Sequence, residues 1–466
     1  MKKFLVPLIL FAGSFLCTWL LQRYTFIYQE YTGLFLNTGD YFSSMFQGSL
    51  PISGIIGDFL TQFFRFSVYA PLIVSLGVVL AYFLTRSIFS RLGLGWDVLA
   101  AACACGLWVV IAMAPTARRG VFVLLILLAV WALSRLLPRK KAKSLPLAWE
   151  LGGALFLTAG VCLFIGLNPK LRETEKTAEL RVAVANYDWD RVLAIATPAE
   201  TAQDRGLLPF AGLALGEKGQ LADRLFQYPV HDQADFDFNQ LEDSETVLFF
   251  KAVLYETLHC PNEAIHNFAQ LATLQEHGLS FLVLRHLLAD NYQMGNYTLA
   301  RKFGTILSRS TLHGQYVGHF NALMEQGTPH APDSVGFRKT VPLISHDPLY
   351  NLLLLESNGM RSPASVDRIL CTLLLQRKLD RFQSLLLSVR DRYPTLPRYY
   401  EEALMLGGEP PLPVSEATRR RYTDFQNAAS RLSPAEVQKK YADTYWIYFL
   451  SVPAEKEVVR KGRLML

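Results

Sequence analysis

Residues 150–185 read ELGGALFLTAGVCLFIGLNPKLRETEKTAELRVAVA, and the reading of the fold turns on the pair Asn168-Pro169 in their middle. The run before that pair, residues 150–167, carries no charge in its central stretch. At about 1.5 Å per helical residue it spans roughly the 30 Å hydrocarbon core of a bilayer. After the pair comes the charged stretch KLRETEKTAELR, expected as a juxtamembrane helix, and no apolar run of that length occurs again. The chain therefore reads as two regions, 1–168 transmembrane and helical, and 169–466 helical and outside the membrane. Both are expected to be all-α.

Working back toward the start, apolar runs at 4–22, 66–85, 98–115 and 121–137 share the length and the uncharged centre of 150–167. A helix satisfies its own backbone groups within lipid, so each run suits a spanning helix, and about five spans are expected. Lys2 and Lys3 precede the first run, but no small-x-small cleavage site follows it. SFLC at 14–17 is also a poor lipobox around Cys17, so the first span reads as an uncleaved anchor. Basic residues orient the bundle. With the N-terminus in the cytoplasm, inner segments hold Lys2, Lys3, Arg86, Arg91, Arg135, Arg139, Lys140, Lys141 and Lys143. Outer segments then hold only Arg23, Arg65, Arg118 and Arg119. That places 169–466 on the extracytoplasmic side of an inner membrane.

The charge balance supports this division. Of 466 residues, 51% are hydrophobic and 18% charged, with mean hydropathy of +0.20 and a formal net charge of +6. Residues 1–169 hold 13 Lys and Arg against 5 Asp and Glu; the remainder holds 33 against 35. The basic excess is a topology signal belonging to the membrane region, and the near-neutral second region excludes an electrostatic grip on nucleic acid.

Residues 23–65 form the long loop of the first region, rich in Gly and aromatics such as Phe35, Tyr41, Phe42, Phe46, Phe59 and Phe63. Such rings suit short helices lying at headgroup depth. Asp40 and Asp58 are the acidic residues of interest there. One outer loop after span one with an acidic residue following a Gly resembles, in that feature alone, the C-type membrane glycosyltransferases. That likeness implies a transferase acting on a lipid-linked substrate, with Asp40 or Asp58 as its working carboxylate.

In the second region apolar residues recur at i, i+3, i+4, i+7: Val366, Ile369, Leu370, Leu373 and Leu374, then Leu379, Phe382, Leu385, Leu386 and Val389. The same spacing holds for Ala264, Ile265, Phe268, Leu271 and Ala272, and for Leu299, Ala300, Phe303, Ile306 and Leu307. Breaks between paired stripes fall near Ala185-Asn186, Gly219-Gln220, Cys260-Pro261, Gly295-Asn296 and Lys378. Spacings near 34 residues mark helical hairpins that must stack to bury their faces. Residues 281–307, with Gly295 at the turn and Ala300 five residues on, resemble a degenerate tetratricopeptide repeat. An α-solenoid of such hairpins is expected, with 329–347 as an inter-repeat loop and GGEPPLPVSE at 407–416 as a break before the last helices.

No Walker loop, GxSxG, HExxH or EF-hand sequence is present. Glu256 with His259 and Glu263 with His266 give two Glu-x-x-His steps, but they flank a single turn rather than lying on separate long helices as in di-iron bundles. Cys17, Cys103, Cys105 and Cys162 lie in spans and read as small buried residues; a Cys260–Cys371 disulfide is the alternative for the other two. Tyr399, Tyr400, Tyr445, Trp446, Tyr448 and Phe449 read either as the closing layer of the solenoid or as a peptide groove. No catalytic, cofactor-binding or metal residue is assigned and no cofactor is expected. Coupled transport is disfavoured because the spans lack intramembrane charges.

LFLNTGDYF, DFLTQFF, GNYTLARKF, RYPTLPRYYEEALML and ADTYWIYF together resemble an uncharacterised family of Bacteroidota membrane proteins with a polytopic first half and a repeat-like helical second half. The resemblance implies architecture and an inner-membrane location, and no activity. The expected function is a membrane-anchored scaffold. Its partners would be the lipid bilayer and an envelope protein or peptide held by the repeats.

Overall fold

A computed structural model describes residues 4–113, 116–138, 145–231, 234–237, 244–275, 278, 280–325, 348–357 and 363–451. Lys2, Lys3, Arg139, Lys140, Lys141, Lys143 and the loop expected at 329–347 lie outside the described residues. Every regular element among the described residues is an α- or 3₁₀-helix. The chain divides into two compact units, Met1–Asn186 with Ala269–His330, and Tyr187–Phe268 with Ala331–Leu466. The first unit thus takes in a segment, 269–330, from beyond the compositional boundary at 168.

The first unit begins with α1 (Leu5–Leu21) and α2 (Arg23–Thr32), which meet at a 72° bend at Gln22. The Gln22 side chain, freed by the bend, donates to the Ala112 carbonyl at 3.0 Å. α3 (Gly39–Gln47) and α4 (Pro51–Thr61) follow, capped by Thr38 and begun by Pro51 respectively. Then come α5 (Tyr69–Leu92), α6 (Asp97–Met113), α7 (Ala117–Ser134), α8 (Leu147–Leu167) and α9 (Pro169–Ala185). α5, α7 and α8 are long and apolar enough to cross a membrane; the bent pair α1–α2 makes up to four, and α6 is apolar but shorter. The expected five runs all form helices; three of them meet the length and composition of a span individually.

Two features suit these helices to lipid. Their outward faces are apolar: Leu8, Leu20, Leu76, Leu133, Leu155 and Phe156 are exposed, Phe156 by 78%. A water-soluble surface does not sustain so continuous an apolar belt. Inside, α1 packs on α5 and α8, and α6 on the same two helices, around Leu10, Val78, Tyr82, Ala104 and Trp108. The inner hydroxyls of Ser14, Ser75 and Thr85 donate to the carbonyls of Leu10, Pro71 and Ala81, the way a hydroxyl is satisfied in a dry interior.

One buried and one half-buried glutamate cap helices that are not their own. Glu150 of α8 accepts from the Val98 amide at the start of α6 at 2.6 Å. Glu175 of α9 accepts from the Tyr24 and Thr25 amides and the Thr25 hydroxyl at 2.8, 2.9 and 2.6 Å, filling the open donors of α2. Burial raises the Glu175 carboxyl above its usual range despite these three donors.

The helices beyond residue 186 are short, and one turn design joins them. At each expected break a residue takes positive φ: Tyr187, Gly219, His259, Gly295 and Arg377. Four of these turns carry the same pair of bonds. The following amide reaches back five residues, in Gln220→Leu215, Cys260→Tyr255, Asn296→Asn291 and Lys378→Leu373, at 2.7–2.9 Å. The positive-φ residue itself reaches back three, at 3.0 Å. This is the Schellman ending, and at Gly219, Gly295 and Arg377 the following helix packs back on its predecessor. Gly295 adopts its φ of 73° without strain; His259 and Arg377, both at 57°, lack that freedom.

In the second unit the core gathers around Leu208–Glu217, which packs on Pro363–Leu375, and around Arg398–Leu404, which packs on Tyr445–Ser451. Tyr399, Tyr400, Tyr445, Trp446 and Tyr448 are buried, and Phe226 lies 4.9–5.0 Å from the rings of Tyr399, Tyr445 and Tyr448. These aromatics fill a core layer and leave no groove between them.

Candidate functional site

Three places in the chain bring polar groups together. The first lies in the first unit, where Phe281–Gln293, Tyr297–Ser308 and Gly314–Glu325 pack in sequence and meet the loop 23–65. The contact is made by backbone: Phe281 N–H donates to the Gly33 carbonyl at 3.1 Å and Asn37 N–H to the Arg309 carbonyl at 2.9 Å. Gln62 accepts from the Ser310 hydroxyl and the Thr311 amide at 3.3 and 3.2 Å. At the centre, His313 Nε2 lies 3.1 Å from Glu30 Oε1, with both side chains 2% exposed. No hydrogen bond reaches either Glu30 oxygen among the described residues. The His313 ring stacks on Phe281 at 3.9 Å between centroids. A void of about 20 Å³, room for one water, opens between Glu30, Gly33, Asp58, Gln62 and His313.

The second place is where α4 meets the start of α7. Asp58, on α4, is gripped by Arg118 of α7 through Nε and Nη2, each at 2.6 Å, and its Oδ2 also accepts from the Tyr41 hydroxyl at 2.6 Å. Burial, and then the adjacent Asp58, pushes the Tyr41 phenol far above its usual range, so it remains the donor. The grip depends on a close approach of backbones. A Cβ at Gly57 would stand 2.7 Å from the amide nitrogen and Cα of Arg118. Beside this ion pair a groove of about 820 Å³ runs between α3, α4 and the start of α7. Asp40 is exposed in the first turn of α3 and does not line the groove. The two loop carboxylates are therefore not brought together, and Asp58 is a tied structural group.

The third place is a cleft of about 600 Å³ in the second unit, between the turn Pro394–Leu396 and the start of the helix Glu416–Arg431. Its charges are mutually satisfied. Arg398 bridges Glu402 at 2.7 Å and Asp443 at 2.9 Å, and Arg421 holds the other Asp443 oxygen at 2.8 Å. Burial pushes Asp443 up, but Arg398 and Arg421 outweigh it and hold the carboxyl below its usual value. Burial wins at Glu402, whose carboxyl is raised although Arg398 and the Tyr445 amide both engage it. Glu401 accepts from the Ser415 amide and hydroxyl and from the Thr418 hydroxyl, fixing the cleft wall.

These features place the chain. The sequence model of the family of unknown function DUF6057 matches residues 1–168 and 120–451. The chain belongs to the DUF6057 family. No curated protein and no solved structure matches it. The DUF6057 assignment agrees with the expectation of an uncharacterised family and brings no activity with it.

Among the described residues of this DUF6057 chain, no three His, Cys, Asp or Glu side chains converge as metal ligands. Glu256 lies at the end of one helix, His259 sits in the turn itself, and Glu263 and His266 lie on the next helix, while Glu256 accepts from the Tyr187 hydroxyl at 2.9 Å. Cys260 and Cys371 are buried free thiols, so the alternative disulfide is absent. Sequence reasoning passed over Glu30, His313 and Glu175, which sit singly among polar neighbours and carry no spacing signal. Arg118-Arg119 was visible only as loop charge.

Proposed function

We propose that this DUF6057 chain is a five-span inner-membrane scaffold. It displays a tetratricopeptide-like solenoid outside the cytoplasm, where the solenoid holds an envelope protein or peptide. The observation that carries the scaffold reading is the turn repeated at Gly219, His259, Gly295 and Arg377, the kind of recurring joint on which helical-hairpin repeats are built. Each hairpin then offers one face to its neighbours and one to a partner. The cleft beside Ala417 and Thr395 is sized for a short extended segment and is open in this arrangement.

Parity supports the span count. The hairpins at 281–325 touch the loop 23–65 by backbone hydrogen bonds, which supports one side of the membrane for both. An even number of crossings between residues 66 and 168 is required for that, and α5, α7 and α8 alone are odd. The short apolar α6 makes the fourth, and Gln22 at the end of α1 bonding Ala112 at the end of α6 sets those two ends at one depth. With α1 the total is five. The positive-inside balance puts the loop, and with it the hairpins, outside. The transferase alternative now rests on Asp40 alone, since Asp58 is committed to Arg118 and Tyr41.

Photocrosslinkers at Thr395 and Ala417 in cells test the scaffold. One envelope protein is expected at both sites, with the crosslinked segment binding the purified full chain and Ala417→Trp abolishing that binding. Recovery of lipid and abundant bystanders alone contradicts it.

A further inference from the structure

The groove beside the Asp58–Arg118 pair has a chemistry that the scaffold reading leaves unused. No carboxylate lines it. Arg118 contributes no net charge there, because Asp58 neutralises it. Arg119 lines the groove as well, is exposed, and has no acidic partner among the described residues. The hydroxyls of Ser49 and Thr116 stand on the same lining, also without a partner among the described residues. One unpaired guanidinium with hydroxyl donors and no competing acid is a site for a phosphate group, which guanidinium matches in bidentate geometry.

The remaining walls say what bears that phosphate. Leu36, Met45 and Phe122 give the groove apolar lining as well. Phe122 lies in the first turns of α7, and Ile126, Val130 and Leu133 follow it at i+4, i+8 and i+11 on the same helix face. Those three are exposed by 46, 43 and 65%. The apolar lining of the groove therefore runs on without a break into the lipid-facing stripe of a membrane-length helix. A free anion uses the guanidinium and leaves that stripe idle; an amphiphile uses both.

We propose that the groove binds an anionic glycerophospholipid, its phosphate on Arg119 with Ser49 and Thr116, and one acyl chain along Phe122, Ile126 and Val130. Headgroup charge gives the selectivity, since a zwitterionic lipid brings its own cation to compete with the arginine.

Native mass spectrometry of the full-length chain in detergent micelles tests this, titrating phosphatidylglycerol and phosphatidylcholine separately. Phosphatidylglycerol adducts are expected at least about tenfold above phosphatidylcholine. Arg119→Ala and the groove-filling Ser49→Trp should each abolish that preference, while Arg119→Lys retains part of it. Equal retention of the two lipids by the wild-type chain overturns the proposal, as does undiminished selectivity in Arg119→Ala. Full displacement of phosphatidylglycerol by millimolar inorganic phosphate also overturns it, because the site would then recognise phosphate without its lipid. Unchanged melting of Arg119→Ala confirms that a loss of binding comes from the lost guanidinium.

Discussion

His313→Ala is the perturbation that reads most directly on the junction between the late hairpins and the early loop. The imidazole is 2% exposed and lies 3.1 Å from an oxygen of Glu30, itself 2% exposed and without a hydrogen-bond partner among the described residues. Deleting it removes the polar partner of a buried acidic side chain, which typically costs about 3–5 kcal/mol. The lost stack on Phe281 adds about 0.5–1.5 kcal/mol. At about 1.4 kcal/mol per power of ten, the first loss alone raises local opening by roughly two to three and a half powers of ten. The amides of Phe281 and Asn37 report it, because their hydrogen bonds join hairpin to loop. Native-state hydrogen exchange should therefore show both amides losing protection together while buried amides within α5 keep theirs. Adding Glu30→Gln to His313→Ala removes the acid left without its partner, so the double variant should regain protection over the single one. If the two amides stay within about threefold of wild type in His313→Ala, the pair does not hold the junction and the reasoning fails.

Three further expectations follow from the geometry. Gly57→Ala must move α4 from α7 by about 0.7 Å to bring the new methyl from 2.7 to an ordinary 3.4 Å, stretching the Asp58–Arg118 pair. A cost of about 1–3 kcal/mol should lower the melting midpoint in detergent by several degrees, and no change would show that the helices are not in contact. Asp367, pushed up by burial although Tyr393 and Tyr400 donate to it, gives stability that is complete below about 3.8 and lost as pH rises through its raised folded value. Asp367→Asn keeps an acceptor for both phenols, so it should gain on wild type as pH rises above about 4 in paired melts; losing ground as pH rises is the contrary result. His259→Gly removes a left-handed strain of about 1–2 kcal/mol against a glycine entropy cost of about 0.5–1, and should raise the melting midpoint slightly. A lowered midpoint would mean that the His259 ring is worth more than the strain it imposes.

Much of the architecture was legible because it rests on pattern. Apolar runs between Leu5 and Leu167 had to become helices, and each expected break in the second region falls on or beside a positive-φ residue. Even the non-glycine turns at His259 and Arg377 were visible, because the apolar stripe stops and restarts around them. The grouping of the units was not legible. Residues 269–330 join the first unit through Phe281, Arg309, Ser310 and His313, whose partners Gly33, Asn37, Gln62 and Glu30 lie about 250 residues earlier. Single long-range partners leave no periodicity to read. Asp58 illustrates the same limit: an acidic residue in an outer loop looks available until Arg118, sixty residues on, proves to occupy both its oxygens.

The central claim is that the loop 23–65, the hairpins at 281–325 and the last helices share the extracytoplasmic side of a five-span bundle. Single cysteines at Ser49, Gln315, Ser430 and Leu137, each exposed, measure it when spheroplasts are treated with a membrane-impermeant maleimide. Labelling of the first three in intact spheroplasts, with Leu137→Cys reacting only after permeabilisation, is the predicted result. Protection of Gln315→Cys and Ser430→Cys while Ser49→Cys reacts would contradict the shared side and, with it, the five-span topology.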